Sequence, residues 1–155
     1  MFVAVLDNIR SLHNVGSIFR TADGAGLQKL FLCGMTGCPP RPEIRKAALG
    51  AEEHVAWEYV RRTEAALQTL RAQGFQLIAL ENGAPDARDY RTASYEFPLA
   101  MVVGHEYNGI DRELVAMCDL AIHLPMRGAK TSLNVAVAFG IAAYEIAARR
   151  PQQEA

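Results

Sequence analysis

The sequence predicts a single α/β domain on a mostly parallel sheet, and two observations carry that expectation. Short apolar runs of strand length alternate with helix-patterned segments along the whole chain, the order that a parallel sheet with crossover helices requires. One of those runs, Leu99–Val103, is apolar at every position rather than at every second one, as in a strand covered on both faces.

Phe2–Leu6 reads as a short buried strand, and the polar turn Asp7–Asn14 ends in Asn14, a good helix cap. In the helix that follows, Val15, Ile18, Phe19 and Ala22 fall at i, i+3, i+4 and i+7 and form a core stripe, whereas Ser17, Arg20, Thr21 and Gly24 share the other face. Gly24 and Gly26 are expected to stop it. Leu30–Leu32 is a second strand, and Gly34–Pro42 is too rich in glycine and proline to be regular. The basic cluster Arg41, Arg45 and Lys46 then leads through Leu49–Ala51 to a third strand near Val55–Val60. Thr63 reads as the cap of a helix with Ala66, Leu67 and Leu70 inward and Gly74 as its stop. Phe75–Leu80 is a fourth strand, and Asn82–Pro85 turns into a polar stretch. Gly104–Gly109 closes the Leu99–Val103 strand and places Glu106 at a strand end, where ligands bind in open α/β sheets. A helix near Asp111–Met117 and a strand at Leu120–Leu124 complete the alternation.

The closing segment, Leu124–Ala147, has two halves. A loop dense in hydrogen-bonding groups (Pro125, Gly128, Lys130, Thr131, Ser132, Asn134) runs into Val135–Tyr144, where only Val, Ala, Phe, Gly, Ile and Tyr occur. A helix apolar all round must be buried, and this one is far short of the about 20 apolar residues that cross a bilayer. It is therefore a core or subunit-interface helix. Ser132 is expected to cap it, and Asn134, one turn inside, needs partners for its amide.

Composition narrows the function classes. The 155 residues fit one domain, with residues 1–150 as its body and 151–155 as a short tail, and half of them are hydrophobic, so no staple is required. A formal net charge of -1 gives no overall pull towards nucleic acid or anionic membrane, so any polyanion would have to meet a local patch; Arg41, Arg45 and Lys46 are the best candidate. Cys33, Cys38 and Cys118 are an odd set behind a start that is not signal-like, which predicts a reducing cytoplasm and no structural metal. Three familiar motifs fail on inspection. Gly128–Thr131 lacks the glycines of a phosphate loop, since Ala129 and Leu124 stand in their places; His105–Glu106 lacks the second histidine of a zinc protease; and Asp7–Leu12 offers no dinucleotide-binding glycines after the first strand.

Three stretches stand out together: Asn8–Gly24 with its Asn14-Val-Gly-Ser-Ile-Phe-Arg20, Met101–Ile110 with its Gly104-His-Glu-Tyr-Asn-Gly109, and Ile122–Ile141 with its Leu124-Pro-Met-Arg-Gly-Ala-Lys-Thr-Ser-Leu-Asn134. In order and spacing they resemble the three motifs of the SpoU family of RNA 2′-O-ribose methyltransferases, within the SPOUT superfamily. The resemblance covers essentially the whole chain. It implies a fold that generic topology rules disfavour, in which the C-terminal segment threads a loop to make a deep trefoil knot. It also implies S-adenosylmethionine (SAM) bound in a bent form at the knot, a homodimer, and transfer or ribosomal RNA as partner, without metal or membrane. Carried over by motif position, Gly104, Leu124 and Leu133 hold the cofactor, with Met126 near the adenine. Arg20 matches the catalytic arginine, and Asn14, Glu106, Ser132 and Asn134 match the other site positions.

The implied chemistry is displacement by a ribose 2′-hydroxyl on a sulfonium methyl. The enzyme must align the reactants and ease proton loss. A guanidinium is effectively never deprotonated in proteins, so Arg20 is read as a cation that binds phosphate and stabilises the developing alkoxide, with the proton acceptor left open. The chain begins at its first strand, so RNA recognition is expected from the dimer surface through Arg10, His13, Arg41, Arg45, Lys46, Arg127 and Lys130. The alternative is an RNA-binding or assembly protein with this fold and no turnover.

Overall fold

The structure, a computed structural model, describes residues 1–152, so the end of the expected tail, residues 153–155, lies outside the described residues. The elements run β1 (Phe2–Asp7), α1 (Leu12–Ala25), β2 (Lys29–Cys33), α2 (Pro42–Ala48), a 3-10 turn (Ala51–Glu53), β3 (Ala56–Val60), α3 (Thr63–Ala72), β4 (Gln76–Leu80), β5 (Arg88–Asp89), β6 (Leu99–Val103), α4 (Arg112–Met117), β7 (Leu120–His123) and α5 (Val135–Ala148). The strands form one seven-stranded sheet in the order β3-β2-β1-β6-β4-β7-β5, and every pairing in it is parallel.

Every residue of β1 and β6, the two central strands, is buried. Phe2, Ala4 and Leu6 of β1 and Leu99, Met101 and Val103 of β6 pack with Ile18 and Phe19 of α1, Ile44 of α2 and Phe139 and Ile146 of α5. The alternate residues, Val3, Val5, Ala100 and Val102, pack with Ala66, Leu67 and Leu70 of α3 and Leu114 of α4. Two helical layers thus account for a strand that is apolar at each position. The stripe Val15, Ile18, Phe19 and Ala22 is fully buried, as its spacing predicts.

Several helix ends differ from the sequence expectation, each for a local reason. Ser11 caps α1, accepting from the Asn14 N–H at 3.1 Å, so Asn14 sits inside the first turn. The helix runs through Gly24 and stops at Gly26, whose φ of 79° is left-handed and whose N–H returns to the Ala22 and Asp23 carbonyls. Pro42 opens α2 instead of ending a loop, because a first-turn N–H makes no intrahelical hydrogen bond and its absence in proline costs nothing there. Thr63 is the first residue of α3 and not its cap; its hydroxyl donates to Asp7 Oδ1 at 2.5 Å. Asn134 caps α5, accepting from Ala136 N at 2.9 Å and Val137 N at 3.4 Å, which leaves Ser132 in the loop. Nor is α5 buried all round: Phe139, Ala142, Ala143 and Ile146 are covered, while Val137, Ile141 and Tyr144 are 52%, 39% and 55% exposed.

Asp7 ends β1 as a buried carboxyl, 3% exposed. Burial raises its pKa above the ordinary 3.8; the Thr63 hydroxyl offsets this in part, and the Asp111 and Glu64 charges add to the rise. A carboxyl bound more tightly to its proton in the folded state favours folding most below its unfolded value. That contribution is lost as pH rises through the folded pKa. Asp7→Asn keeps an acceptor for Thr63 and does not titrate. The variant is expected to be more stable than the parent at neutral pH, with the gain shrinking towards about pH 4, in paired urea-unfolding curves.

Candidate active site

Because all strands are parallel, their C-terminal ends share one rim of the sheet. A cavity of about 1120 Å³ opens there, around the ends of the adjacent strands β1, β6, β4 and β7, where ligands bind in open α/β sheets. Its walls come from four strand ends: Arg10, Ser11 and Asn14 after β1; Leu80, Glu81, Asn82 and Gly83 at β4; Val103 to Gly109 at β6; and Leu124 with Thr131 to Val135 after β7.

The loop after β6 folds back tightly, with Gly109 N donating to His105 O at 2.9 Å. A Cβ at Gly104 would lie 2.6 Å from Ile110 Cγ1 and 2.7 Å from the Gly109 carbonyl carbon, so only glycine fits. Glu81 braces this loop from β4 by accepting from Ile110 N at 2.8 Å. Its neighbour Asn82 braces the next one: its amide nitrogen donates to the Leu124 carbonyl at 3.0 Å and the Thr131 carbonyl at 3.1 Å, and its oxygen accepts from Leu124 N at 2.9 Å.

Glu106 accepts from Ser11 N at 3.1 Å, tying the β6 loop to the start of α1. Burial alone would raise its pKa, but hydrogen bonds from its own and the Ser11 backbone, the Asn14 side chain and the Arg10 backbone outweigh burial and hold the carboxyl below its ordinary value. Asn14, 7% exposed, meets the Asn134 amide as well, Asn134 Nδ2 donating to Asn14 Oδ1 at 3.3 Å. One polar line therefore runs from the β6 loop through α1 to the cap of α5.

Of the residues expected from sequence, Asn14, Gly104, Glu106, Leu124, Ser132, Leu133 and Asn134 all line this cavity. Met126, half-buried on the loop after β7, and Arg20, exposed on α1, do not. Arg20 lies beside Ser17 and Thr21, which border a second, shallower groove of about 750 Å³ against Val137, Gly140, Ile141 and Tyr144 of α5. Glu81 and Asn82 were missed by the sequence reading. The signal that could have found them is their position directly after an apolar run, at a strand end. Among the described residues no cluster of three or more His, Cys, Asp or Glu is placed to hold a metal, and no helix is long and apolar enough to cross a membrane.

Residues 1–144 match the SpoU rRNA Methylase family. The chain is 34% identical over 149 residues to a Bacillus subtilis (strain 168) protein assigned to the TrmH family of tRNA/rRNA methyltransferases, covering 96% of this chain. It spans 59% of the length of that relative. An AdoMet-bound rRNA methyltransferase from Sinorhizobium meliloti superposes with a TM-score of 0.90 at 30% identity, over 97% of this chain and 57% of that one. A protein described by its role in the 2-OH methylation of C/U34 on tRNA superposes with a TM-score of 0.83 at 28% identity, over 94% of this chain and 93% of that one.

Asn134 serves both the α5 cap and the contact to Asn14, so its variants separate the two. Asn134→Ala is expected to lose about 1–2 kcal/mol in urea unfolding, as for a removed cap. Asn134→Asp keeps an acceptor for the Ala136 and Val137 N–H groups but sets oxygen against Asn14 Oδ1, and should fall between the two. A wild-type midpoint for Asn134→Ala would exclude the capping role.

Proposed function

The chain belongs to the SpoU rRNA methylase family, and we propose that it is a SAM-dependent methyltransferase acting on a ribose 2′-hydroxyl of transfer or ribosomal RNA. The observation that carries this reading is the convergence of three motifs, distant in sequence, on one rim cavity. The matched relatives, one of them AdoMet-bound, support it.

The cavity suits the cofactor. Its floor is apolar where Leu80 and Val103 end their strands and Leu124 follows β7, and its mouth carries the backbone polar groups of the Thr131–Asn134 loop, a combination fitted to an uncharged base and a polar tail. When bound, SAM supplies an activated methyl with a neutral thioether as leaving group. Gly104, Leu124 and Leu133 would hold it, and Met126 would close over the adenine from the loop. Gly104 keeps the β6 loop compact enough for Glu106 to reach Ser11 N. Glu106 and Asn14 position the polar wall, Ser132 and Asn134 set the edge nearest the incoming ribose, and Arg20 binds phosphate and stabilises the developing alkoxide.

Arg20 is outside the cavity of its own chain, and the apolar stripe Val137, Ile141 and Tyr144 of α5 is exposed beside it. A second copy packed on this stripe covers the exposed apolar area and lets the Arg20 of each chain serve the other's cavity. We place the homodimer's reaction in the cytoplasm, where the three free thiols would stay reduced, and residues 1–150 form the methyltransferase domain.

Calorimetry is expected to give SAM binding that a chelator leaves unchanged. Arg20→Ala should leave SAM affinity within about twofold, because the side chain is surface-exposed. Single-turnover methyl transfer from labelled SAM to RNA from cells lacking the protein should slow by about a hundredfold or more, as on loss of one charge-stabilising donor. Mixed dimers of Arg20→Ala with the cavity variant Gly104→Val should regain activity at one of their two sites. A wild-type rate for Arg20→Ala would end its catalytic role; SAM binding without any transfer would favour an RNA-binding protein of this fold.

A further inference from the structure

Trp57 and Tyr59 lie two residues apart on β3, the outermost strand on its side of the sheet, and are 36% and 47% exposed. In register they stand beside Leu30 and Leu32, so both rings project on the α1 and α2 face, beyond the point where those helices cover it. We propose that this edge is a stacking platform for unpaired bases of the substrate RNA next to the nucleotide held in the cavity. The proposal rests on the RNA methyltransferase reading and adds to it the surface that recognises the flanking strand.

The platform is continuous with the candidate active site. Tyr59 Oη donates to the Gly34 carbonyl at 2.8 Å. The next residue, Met35, is 59% exposed and accepts from Arg10 Nη2 at 3.3 Å, and Arg10 lines the cavity. Arginine, thioether, phenol and indole thus form one track from the cavity mouth to the sheet edge. Because β3 is parallel to β1 and two strands away, its C-terminal end is on the cavity's rim at about 10 Å from β1.

Charge along the strand has the matching direction. Arg61 and Arg62 follow β3 at the rim and are exposed, with Arg62 3.8 Å from Glu64 in a solvent-exposed pair, whereas Glu52 and Glu53 precede the strand at its far end. Glu58 lies on the opposite face, bound by Lys29 at 2.8 Å. The ring-bearing face of β3 therefore carries no carboxylate of its own and runs towards cations. Aromatic rings stack on any base and arginines hold the intervening phosphates, which is the construction of a single-strand site.

The chain has one tryptophan, so its emission reports this site alone. The SAM-loaded full chain is titrated with an end-labelled oligoadenylate of about 12 nucleotides. Trp57 emission is expected to be quenched with the midpoint given by label anisotropy. Trp57→Ala and Tyr59→Ala should each weaken binding by roughly fivefold to a hundredfold, as for loss of one base stack, Trp57→Phe should retain most of it, and all three should bind SAM as the parent does. Oligonucleotide binding without a change in emission, or alanine variants that bind RNA as the parent does, would overturn the platform. So would SAM binding with no oligonucleotide binding, which leaves the methyltransferase reading standing, whereas failure to bind SAM strikes that reading first. If Trp57→Ala instead lowers the sedimenting mass, the face belongs to a second copy and the proposal falls. Should Trp57→Ala not fold, Trp57→Phe combined with Tyr59→Ala carries the same test.

Discussion

The structure depends on a single constraint, that all seven strands run in parallel. Each strand must then be followed by a return across a face of the sheet, which covers both faces and makes β1 and β6 apolar throughout. The same constraint sends every strand's exit to one rim. Segments far apart in the chain become neighbours there without any local sequence reason: Ser11 meets Glu106 across 95 residues and Asn14 meets Asn134 across 120. The chemistry at the rim is a product of topology first and of side chains second.

What those side chains do to one another limits their roles. Glu106 is one of two carboxylates lining the cavity, yet it accepts a hydrogen bond from the Ser11 backbone, and its polar surroundings hold its pKa down. A base works best with a pKa near the operating pH. Glu106 is better placed to fix the β6 loop and the start of α1 than to take a proton from a weakly acidic hydroxyl. The buried Asp7, close by on the same rim, has the opposite perturbation, but its partner is Thr63 of α3, on the face away from α1 and α5.

The sheet and its helical cover were legible because burial on both faces writes itself as apolar runs and stripes: Leu99–Val103 and the Val15, Ile18, Phe19, Ala22 set appear as predicted. Caps were legible as a residue type and not as a position. Ser11 and Asn14, or Ser132 and Asn134, are equally good caps in sequence, and the loop geometry set by distant contacts selects between them. Helix α2 was hidden by reading Pro42 as a breaker, and β5, two residues long, has no pattern to find. The cavity residues separate in the same way. Motif resemblance reached Asn14, Gly104, Glu106 and Asn134, whereas Glu81 and Asn82 act through loops that sequence alone does not bring near them. The exposed stripe of α5 was the least legible, since an all-apolar helix hides which face is covered.

In the proposed enzyme, Arg20 connects that stripe to the chemistry. Asn14 points into the cavity, and Arg20 follows six residues later on the same helix, about 9 Å further along the axis and roughly a third of a turn round it. Helix α1 is held in place by its buried stripe against the sheet, by Ser11 at its start and by Gly26 at its end, and it leaves Arg20 outside the cavity that Asn14 lines. For the proposed reaction, either the RNA spans from the cavity to Arg20 or a second copy carries its own Arg20 to the cavity. The first arrangement leaves Val137, Ile141 and Tyr144 bare beside a polar groove; the second covers them with the same movement that completes the site. In the proposed homodimer, one contact would both cover the exposed apolar stripe and complete the proposed catalytic set.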